Sequence, residues 1–380
     1  MISMTSKERL IAAMKHEDVD KIPVSPRVQH VVTRYFNSNS AWTYRKLKSR
    51  FDYDPTYIYG YPCPNPIFNC LERIDYIKET NARIVYEDAG DHFIINRIFS
   101  TPAGEISDKT ISPKPGASHY GISANPHKIE YLIKTKDDLA KLKYIMPDVK
   151  NASFAEFLNC EEEMGDNGLV LMNIHGAMDY TGSEAYSMQD MMTSYYEDPE
   201  LFDGVLKLFS EFSLNKLEYA LKNGVKNFFL SNFYISLSSG WSPKIIEEKF
   251  LPVIKQQVAM IHGAGGLADY YDDGKLMHSI DLFIEAGVDV IETCSPPPVG
   301  GFNLLEAKKK WGGKVTFKGC ADMINVIANG TPQQINDHVK DIISQNGDKR
   351  GLILGTMDGI RPETSDENIA AYFTAANKYR

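Results

Sequence analysis

Polar side chains gather at the ends of three strand-like runs in the last third of the chain, and their types suit catalysis. The first run ends in Tyr271, Asp272 and Asp273, the second in Glu292, and the third reaches Cys320. Phenol, carboxyl and thiol groups can transfer protons or bind metal ions. Because alternating βα folds collect their chemistry at the carboxyl ends of the strands, these side chains are predicted to line one active-site floor.

Strand-like runs alternate with helical stretches along most of the chain, and this alternation positions the polar groups. The first strand-like run is at 22–25 and the last at 352–355, and those that carry the candidate residues are at 266–271, 288–293 and 314–319. Strands that are separated by helices pair in parallel. The pattern predicts an α/β fold, a (β/α)8 TIM barrel with an N-terminal insertion or lid.

A long segment near the N-terminus departs from this pattern. Residues 36–85 are rich in Tyr, Pro and Asn, and 92–111 have the pattern of two strands joined by a turn at 101–104. Loop-rich segments often carry function at the mouth of a rigid scaffold. No long linker divides the chain. We therefore predict one domain over residues 1–380, in which about residues 36–165 form added segments over the barrel.

The bulk composition narrows the class of protein. The 380 residues are 43% hydrophobic and carry a formal net charge of −9. Nucleic acids and anionic membranes demand a basic face, so neither is a predicted partner. No apolar run approaches the ~18 residues of a membrane span, and the first residues lack the apolar core of a signal peptide. Five cysteines without a Cys-x-x-Cys pair favour a reduced, cytoplasmic protein.

Two further groups of residues follow predicted strands and are candidates for substrate binding. Arg27 and His30 come after the first strand, where a guanidinium group suits carboxylate recognition. His175 and Tyr180 follow a buried strand at 168–174. The alternatives, an ion-paired surface arginine and a hydrogen-bonded structural histidine, both stay open.

Several short motifs together carry a family resemblance. They are at 5–9 and 20–24 near the start, at 274–276 and 285–289 in the middle, and at 358–362 near the end. These segments resemble the uroporphyrinogen decarboxylase superfamily, which also contains cobalamin-dependent methyltransferases. The resemblance spans most of the chain and implies a TIM barrel.

Two positions depart from the superfamily pattern in charge. Members commonly have acids where Ser231 and Asn232 stand, after the strand at 225–230. Serine and asparagine are neutral hydrogen-bonding groups. We therefore predict that both bind substrate.

The resemblance also sets an expectation for zinc. In the zinc-dependent methyltransferases of the superfamily, a His-x-Cys-Gly motif and a later Cys supply the ligands. Aligned on Gly274 and on Gly-Ile-x-Pro, the corresponding positions here are Tyr271, Asp273 and Asp358. Zinc activates a thiol by favouring the thiolate, a role that oxygen ligands suit less. A zinc site here would therefore lack its usual His and Cys ligands.

Two interpretations of this substituted site stay open, beside a structural one. The first is a metal site built from Asp273, Glu292, Cys320 and Asp358. The second is a metal-free site in which the catalytic residues Tyr271, Asp273, Glu292 and Asp358 transfer protons or hold substrate. Converging carboxylates repel one another, so at least one pKa should rise unless a cation lies among them. Structurally, one or two of these acids could simply pair with Lys275 or Lys318.

The superfamily's decarboxylase is the natural alternative, but its substrate site is not matched. It carries an Arg-Gln-Ala-Gly-Arg run that holds the carboxylates of its tetrapyrrole substrate. Residues 26–30 are Pro-Arg-Val-Gln-His, with one arginine and no glycine. A substrate with eight carboxylates would need more basic groups than this stretch provides, whereas a smaller acid remains open.

The predicted function is methyl transfer from a small methylated compound to a separate corrinoid protein. The chain has no Asp-x-His-x-x-Gly, the motif that supplies a histidine to the cobalt of a bound corrinoid. The predicted cofactor is thus a corrinoid that a partner protein carries, and the methyl donor is an aryl methyl ether or a methylamine. A decarboxylase of a small acid, a non-catalytic binding barrel and a homodimeric state stay open.

Overall fold

Seven parallel strands form the main sheet of the protein. The computed structural model describes residues 3–63, 81–114, 116, 126–181, 185–236 and 240–380. In order across the sheet, the strands are β1 (Thr56–Tyr59), β6 (Leu169–His175), β7 (Phe228–Ser231), β8 (Ala268–Tyr271), β9 (Val290–Cys294), β10 (Thr316–Ala321) and β11 (Leu352–Thr356). Every residue of β7 to β11 is buried, as expected for strands covered on both faces.

A short segment around Val24 supplies the eighth strand position and joins the two ends of the sheet. The amide of Ser25 donates to the carbonyl of Leu354 in β11 at 2.7 Å, and the amide of Leu354 donates to Pro23 at 2.9 Å. On its other side, the carbonyl of Val24 accepts from the amide of Asp54, just before β1, at 2.7 Å. The predicted eight-position parallel barrel is confirmed, with its first strand reduced to a bridge.

Helices α1 (Ser6–Met14), α2 (Gln29–Phe36), α3 (Ala41–Arg50) and α5 (Ala155–Met164) belong to the same compact unit as the sheet. The later helices of this unit are α9 (Pro243–Ile245), α10 (Leu251–Gly263), α11 (Ile280–Ala286), α12 (Leu304–Trp311), α13 (Pro332–Asn346) and α14 (Asp366–Tyr379). Side-chain caps explain several of their starting points, because Thr5, Ser40 and Thr331 each accept from the third amide of the helix.

The amino end of the barrel is closed by α1. Its Leu10 and Met14 belong to one buried apolar cluster with inward-facing residues of the strands, including Leu171 and Phe229. The hydroxyl of Thr316, the first residue of β10, donates to a carbonyl of α1 at 2.6 Å. Burial of each large apolar side chain contributes roughly 1.5–3 kcal/mol. Polar groups that face the barrel axis are therefore reached from the carboxyl end of the strands.

A second compact unit contains an antiparallel sheet of four strands. These are β2 (Asn81–Asp88), β3 (His92–Thr101), β4 (Gly104–Pro113) and β5 (His127–Glu130), paired in that order. The predicted two-stranded pattern over 92–111 is confirmed as β3 and β4, with Thr101 opposite Gly104 at the turn. The buried carboxylate of Asp108 accepts from Arg97 at 2.8 Å and from Lys128 at 2.6 Å, which ties β3, β4 and β5 together.

The helices of the second unit are α4 (Asp137–Leu142), α6 (Ala177–Tyr180), α7 (Met188–Glu197) and most of α8 (Pro199–Lys222). The second unit comprises residues 62–153 and 175–219. Strand β1 lies inside the 36–165 stretch that the sequence assigned to added segments, because its Tyr-rich run does not show strand alternation. Residues 64–80 of the expected lid lie outside the described residues, and the prediction of one domain stays a prediction. No described helix is long and apolar enough to cross a membrane.

Replacing Gly266 with alanine is expected to destabilise the barrel unit. A Cβ at this position would lie 1.8 Å from the carbonyl oxygen of Lys226, which is backbone and cannot swing aside. The forced shift should cost about 1–3 kcal/mol or more. Urea unfolding should show a lower midpoint with an unchanged slope.

The matched control is Gly263→Ala, three positions earlier in the last turn of α10, where no atom lies within 4 Å of the added Cβ. This change should be neutral or stabilise by up to ~1 kcal/mol, because alanine is the better helix former. Equal stability of the two variants would contradict the close approach at Gly266.

Candidate active site

A buried chain of four charged side chains runs through the barrel. The Nε of Arg27 donates to Oε1 of Glu292 at 2.8 Å, and the Nζ of Lys318 donates to Oε2 of the same carboxylate at 2.8 Å. Lys318 also donates to Oδ2 of Asp269 at 3.0 Å. The Glu292, Lys318 and Asp269 side chains are at most 4% exposed, whereas Arg27 is 15% exposed. Each buried charge therefore has an opposite charge in contact, as burial requires.

The register of three neighbouring strands places these groups side by side. Tyr271 of β8 is opposite Glu292 of β9, and Glu292 is opposite Lys318 of β10. Asp269 precedes Tyr271 by two residues, so both point to the same face, while Tyr270 between them packs on Phe283 of α11. The period of two thus directs the charged groups towards the barrel axis.

One acid of the network titrates close to neutral pH. Burial raises the pKa of Asp269 to about 7, although Lys318 opposes the rise, and the neighbouring Glu292 adds to it. Burial would also raise the pKa of Glu292, but the Lys318 and Arg27 cations lower it to about 2. The two acids keep the pKa of Lys318 above its ordinary value despite burial. Asp269 is therefore the group that exchanges a proton near pH 7.

The other predicted catalytic residues surround the guanidinium group of Arg27. That group lies over the ring of Tyr271, 4.0 Å from its centroid, and its Nη1 is 3.8 Å from Oδ1 of Asp358. The hydroxyl of Tyr271 donates to Oδ1 of Asp273 at 2.9 Å. Burial raises the pKa of Tyr271 despite the adjacent Arg27, so Tyr271 is a neutral proton donor. A cation of the protein itself, Arg27, thus lies beside these side chains.

Comparison with known proteins gives the family of the chain. A sequence model described as uroporphyrinogen decarboxylase (URO-D) matches residues 123–379, more than half of the chain. The chain belongs to the uroporphyrinogen decarboxylase family. This confirms the resemblance that the sequence motifs carried.

Individual relatives are distant. Uroporphyrinogen decarboxylase 2 of Oryza sativa subsp. japonica is 24% identical over 203 residues, which cover 52% of this chain and 48% of that protein. Uroporphyrinogen decarboxylase of Hordeum vulgare is also 24% identical over 203 residues, covering 52% of this chain and 57% of that protein. The chain thus spans about half the length of the curated relatives it matches.

Among solved structures, a methyltransferase from Methanosarcina mazei is similar in fold. It superposes with a TM-score of 0.63 and covers 99% of both chains, at 14% sequence identity. A likeness at this identity concerns the fold, and it supports the TIM barrel of this member of the uroporphyrinogen decarboxylase family.

The resemblance to zinc-dependent methyltransferases implies a zinc ion, but the donor side chains of this family member do not fit one. Both carboxylate oxygens of Glu292 already accept from cations, and Asp273 accepts from Tyr271. Cys320 lines a different cavity, beside α13, together with His338. Among the described residues, no three His, Cys, Asp or Glu side chains are grouped so that they could hold a metal. The structure therefore does not assemble the predicted metal set of Asp273, Glu292, Cys320 and Asp358.

Three predicted substrate-binding residues of the barrel unit have different surroundings. His30 is exposed on α2, whereas Ser231 and Asn232 are buried at the end of β7. The backbone amide of Asn232 donates to the carbonyl of Tyr271 at 2.8 Å, and its side-chain amide donates weakly to Leu230 at 3.5 Å. The backbone hydrogen bond of Asn232 thus joins the end of β7 to β8, and substrate binding by these three residues stays a prediction.

The remaining two predicted residues, His175 and Tyr180, belong to the second unit. The Nδ1 of His175 lies 3.0 Å from a carboxylate oxygen of the buried Asp179. Tyr180 is fully buried, stacks on Phe209 at 5.2 Å, and its hydroxyl accepts from Lys216 at 2.9 Å. Burial lowers the pKa of Lys216 to about 8. Tyr180 therefore packs among buried side chains, and substrate binding by His175 and Tyr180 stays a prediction.

Sequence reasoning missed Asp269 and underrated Lys318. Both interrupt otherwise apolar strands, at Leu-Ala-Asp-Tyr-Tyr and Val-Thr-Phe-Lys-Gly. A charged residue at an inward strand position must find a partner, so opposite charges in two such strands are a usable signal. The structural interpretation in which an acid pairs with Lys318 is correct for Glu292, while Lys275 is exposed.

Asp269→Asn is expected to change how stability depends on pH. The folded pKa of Asp269 is about 7, against an ordinary value of 3.8, so between these pH values the folded protein keeps a proton that the unfolded chain releases. The free energy of unfolding of the natural protein should therefore fall as pH rises through this window, by up to ~1.4 kcal/mol per pH unit.

Unfolding in urea at pH 5, 6, 7 and 8 measures this dependence for both proteins. The difference between them should grow towards low pH and level off above pH 7, because asparagine binds no proton. A difference that is constant with pH would show that Asp269 is ionised throughout.

Proposed function

We propose that the protein is a methyltransferase, which moves a methyl group from a small methylated compound to a corrinoid on a separate protein. The observation that carries this proposal is the neutralised charge of the barrel site. Arg27 is paired with Glu292 and lies near Asp358, and Lys318 is paired with Glu292 and Asp269. Each of these two cations is already matched by acids, which favours a donor that is neutral or cationic.

A substrate with many carboxylates is disfavoured on the same ground. Around Arg27 lie the carboxyl groups of Glu292, Asp358 and, through Tyr271, Asp273. Bringing further carboxylates to this acidic surface would add repulsion that the single guanidinium cannot offset. An aryl methyl ether or a methylamine avoids this repulsion.

Demethylation of such a donor needs a proton for the leaving group. The bond between the methyl carbon and the oxygen or nitrogen breaks, and its electron pair stays on the heteroatom, which must be protonated to leave well. Tyr271 is a neutral donor hydrogen-bonded to Asp273, and Asp269 holds a proton close to pH 7. In this proposal, Tyr271 and Asp273 contact the heteroatom, and the buried network supplies the charge balance.

The methyl acceptor comes from the partner. The corrinoid supplies a nucleophilic cobalt, and this chain contributes the orientation and the electrostatics. The chain has no Asp-x-His-x-x-Gly, and the fold likeness to a methyltransferase supports this reading. The partner protein is proposed to dock at the carboxyl end of the barrel.

Arg27 takes the place that a metal ion has in the zinc-dependent branch of the superfamily. Its guanidinium group contacts Glu292 and the ring of Tyr271, and it lies 3.8 Å from Asp358. A fixed positive charge there stabilises the ionised acids without any metal. The proposed activity should therefore survive dialysis against a chelator.

The test uses the purified chain with a reduced corrinoid carrier protein and a panel of methoxyaromatics, methylamines and methylthiols. The expected result is demethylation of at least one ether or amine. Chromatography detects the demethylated product, and the visible spectrum of the corrinoid detects its methylation. A parallel sample treated with a chelator should retain its activity. If no member of the panel were demethylated, the proposal would be abandoned.

Decarboxylation of a small acid is the second candidate, because the curated relatives are named uroporphyrinogen decarboxylases. Release of carbon dioxide from a carboxylic acid panel without any corrinoid would favour it over methyl transfer. A non-catalytic binding barrel would have a dry mouth without convergent polar groups. The polar side chains of Arg27, Tyr271, Asp273 and Asp358 lie close together here, which disfavours that alternative.

A further inference from the structure

Two cysteines lie side by side on neighbouring strands, outside the charged network. Cys294 is the last residue of β9, and Cys320 is the next-to-last residue of β10. Both are free thiols. They line one cavity of about 230 Å³, between the strand ends and α13, together with Phe302 and His338.

The strand register brings the two backbones within bridging range. Cys294 is opposite Gly319, so Cys320 is one residue further along the neighbouring strand. Neighbouring strands lie about 4.8 Å apart. Disulfides join Cα atoms that are roughly 4.4–6.8 Å apart. The spacing of these two residues therefore suits a bond.

An irregular backbone turns both thiols to the same cavity. In a regular ladder, a one-residue offset would send the two side chains to opposite faces. Here the register shifts between Lys318 and Gly319, and three residues have left-handed φ: Thr293 (69°), Gly319 (117°) and Cys320 (72°). Threonine and cysteine rarely adopt such angles, so the strain is held by the surrounding structure.

We propose that Cys294 and Cys320 are an oxidation site, at which hydrogen peroxide converts the two thiols into a reversible disulfide. In the first step, the sulfur of Cys320 attacks a peroxide oxygen, the O–O bond breaks, and Cys320 becomes a sulfenic acid with release of water. In the second step, the sulfur of Cys294 attacks the sulfur of Cys320 and displaces a second water. One peroxide is thus reduced for each pair of thiols oxidised.

Burial assigns the order of the two steps. Cys320 is 4% exposed and Cys294 is fully buried. Burial raises the pKa of the Cys294 thiol, and the adjacent Cys320 thiol adds to the rise. Because Cys294 is fully buried, Cys320 is the thiol that peroxide reaches first, and Cys294 takes the resolving role once its neighbour is a sulfenic acid. Hydrogen peroxide is small enough to enter a cavity of this size.

The bridge would add a covalent link close to the charged network. Cys294 follows Glu292 by two residues, and Cys320 follows Lys318 by two residues. Oxidation would therefore constrain the ends of the same two strands that hold the ion pair. Oxidation of the two thiols does not require the proposed methyl transfer.

The experiment treats the reduced full chain with hydrogen peroxide, blocks the remaining thiols, and maps peptides under non-reducing conditions. The expected result is a peptide pair that joins Cys294 to Cys320, with loss of two hydrogens, and that disappears after reduction with dithiothreitol. The variants Cys63→Ser and Cys160→Ser should keep this pair, whereas Cys294→Ser and Cys320→Ser should each lose it.

The peptide map of the natural chain decides the matter even where a variant fails to fold. Recovery of Cys294 and Cys320 as blocked thiols, as separate sulfinic acids, or in bonds to other cysteines would overturn the proposal. A sample oxidised in urea serves as a control, since an unfolded chain should form mixed pairs among its five cysteines.

Discussion

Replacing Lys318 with methionine is expected to lower the free energy of unfolding by about 3–5 kcal/mol, because it removes the cation beside buried Asp269 and one of the two cations that pair with Glu292. Lys318 donates to Glu292 at 2.8 Å and to Asp269 at 3.0 Å, and all three side chains are at most 4% exposed. Methionine keeps most of the volume and removes the charge. Urea or thermal unfolding of the purified variant measures the loss.

The matched control is Lys255→Met, the same change at an exposed ion pair. Lys255 lies 2.6 Å from Glu285, but the two side chains are 43% and 55% exposed. Surface pairs of this kind contribute about 0–1 kcal/mol. If Lys318→Met destabilised the protein no more than Lys255→Met does, the buried network would not be a stabilising unit.

A second variant separates the loss of charge from the loss of packing. In the Asp269→Asn background one acid no longer needs its cation, so Lys318→Met should cost less there than in the natural chain. The coupling between the two changes is expected to be about 0.5–3 kcal/mol, the range for residues in contact. Additive effects would mean that the 3.0 Å contact carries little energy.

Asp273→Asn and Asp358→Asn are expected to lower turnover by well over tenfold each, which corresponds to more than ~1.4 kcal/mol of transition-state stabilisation. Asp273 accepts the hydrogen bond of Tyr271, and Asp358 lies 3.8 Å from Arg27. Asparagine keeps the shape of each side chain but removes its charge and its capacity to take up a proton. Turnover in the methyl-transfer assay and the melting temperature should be measured on both variants.

Stability distinguishes a catalytic role from a structural one at these positions. The side chain of Asp358 is 58% exposed, so its replacement should leave the melting temperature nearly unchanged. Asp366→Asn is the matched control, since Asp366 is 64% exposed and pairs with Arg34 on the surface. Near-normal turnover with a lowered melting temperature would assign Asp273 and Asp358 to the fold instead.

The barrel could be predicted from the chain because its signal is local and repeated. Runs such as Val290–Cys294 and Leu352–Thr356 are short, apolar and separated by helices, and parallel pairing follows from that alternation. Strand β1 (Thr56–Tyr59) could not be predicted in the same way, because a stretch rich in Tyr and Pro surrounds it. Its place in the sheet depends on pairing with Leu169 to Met172, far along the chain.

The candidate site was predictable in part. The polar ends of β8 and β9 were visible as Tyr271, Asp273 and Glu292, and the structure brings these groups near Arg27. Cys320 also lies near the end of a strand, and the sequence pattern therefore predicted that it lines the same active-site floor. Left-handed backbone at Gly319 and Cys320 turns the thiol towards α13 instead, and a sequence pattern does not show this.

The sequence by itself determined the alternation of most strands and helices, the acidic balance, and the residue types that end the predicted strands. Only the tertiary structure decided which charges meet. Arg27 and Glu292 are 265 positions apart in the chain, yet closure of the barrel through Val24 places them 2.8 Å from each other. Strand register then sets Lys318 between Asp269 and Glu292. Because burial disfavours an isolated charge, the tertiary structure sets both the raised pKa of Asp269 and the positive centre at Arg27.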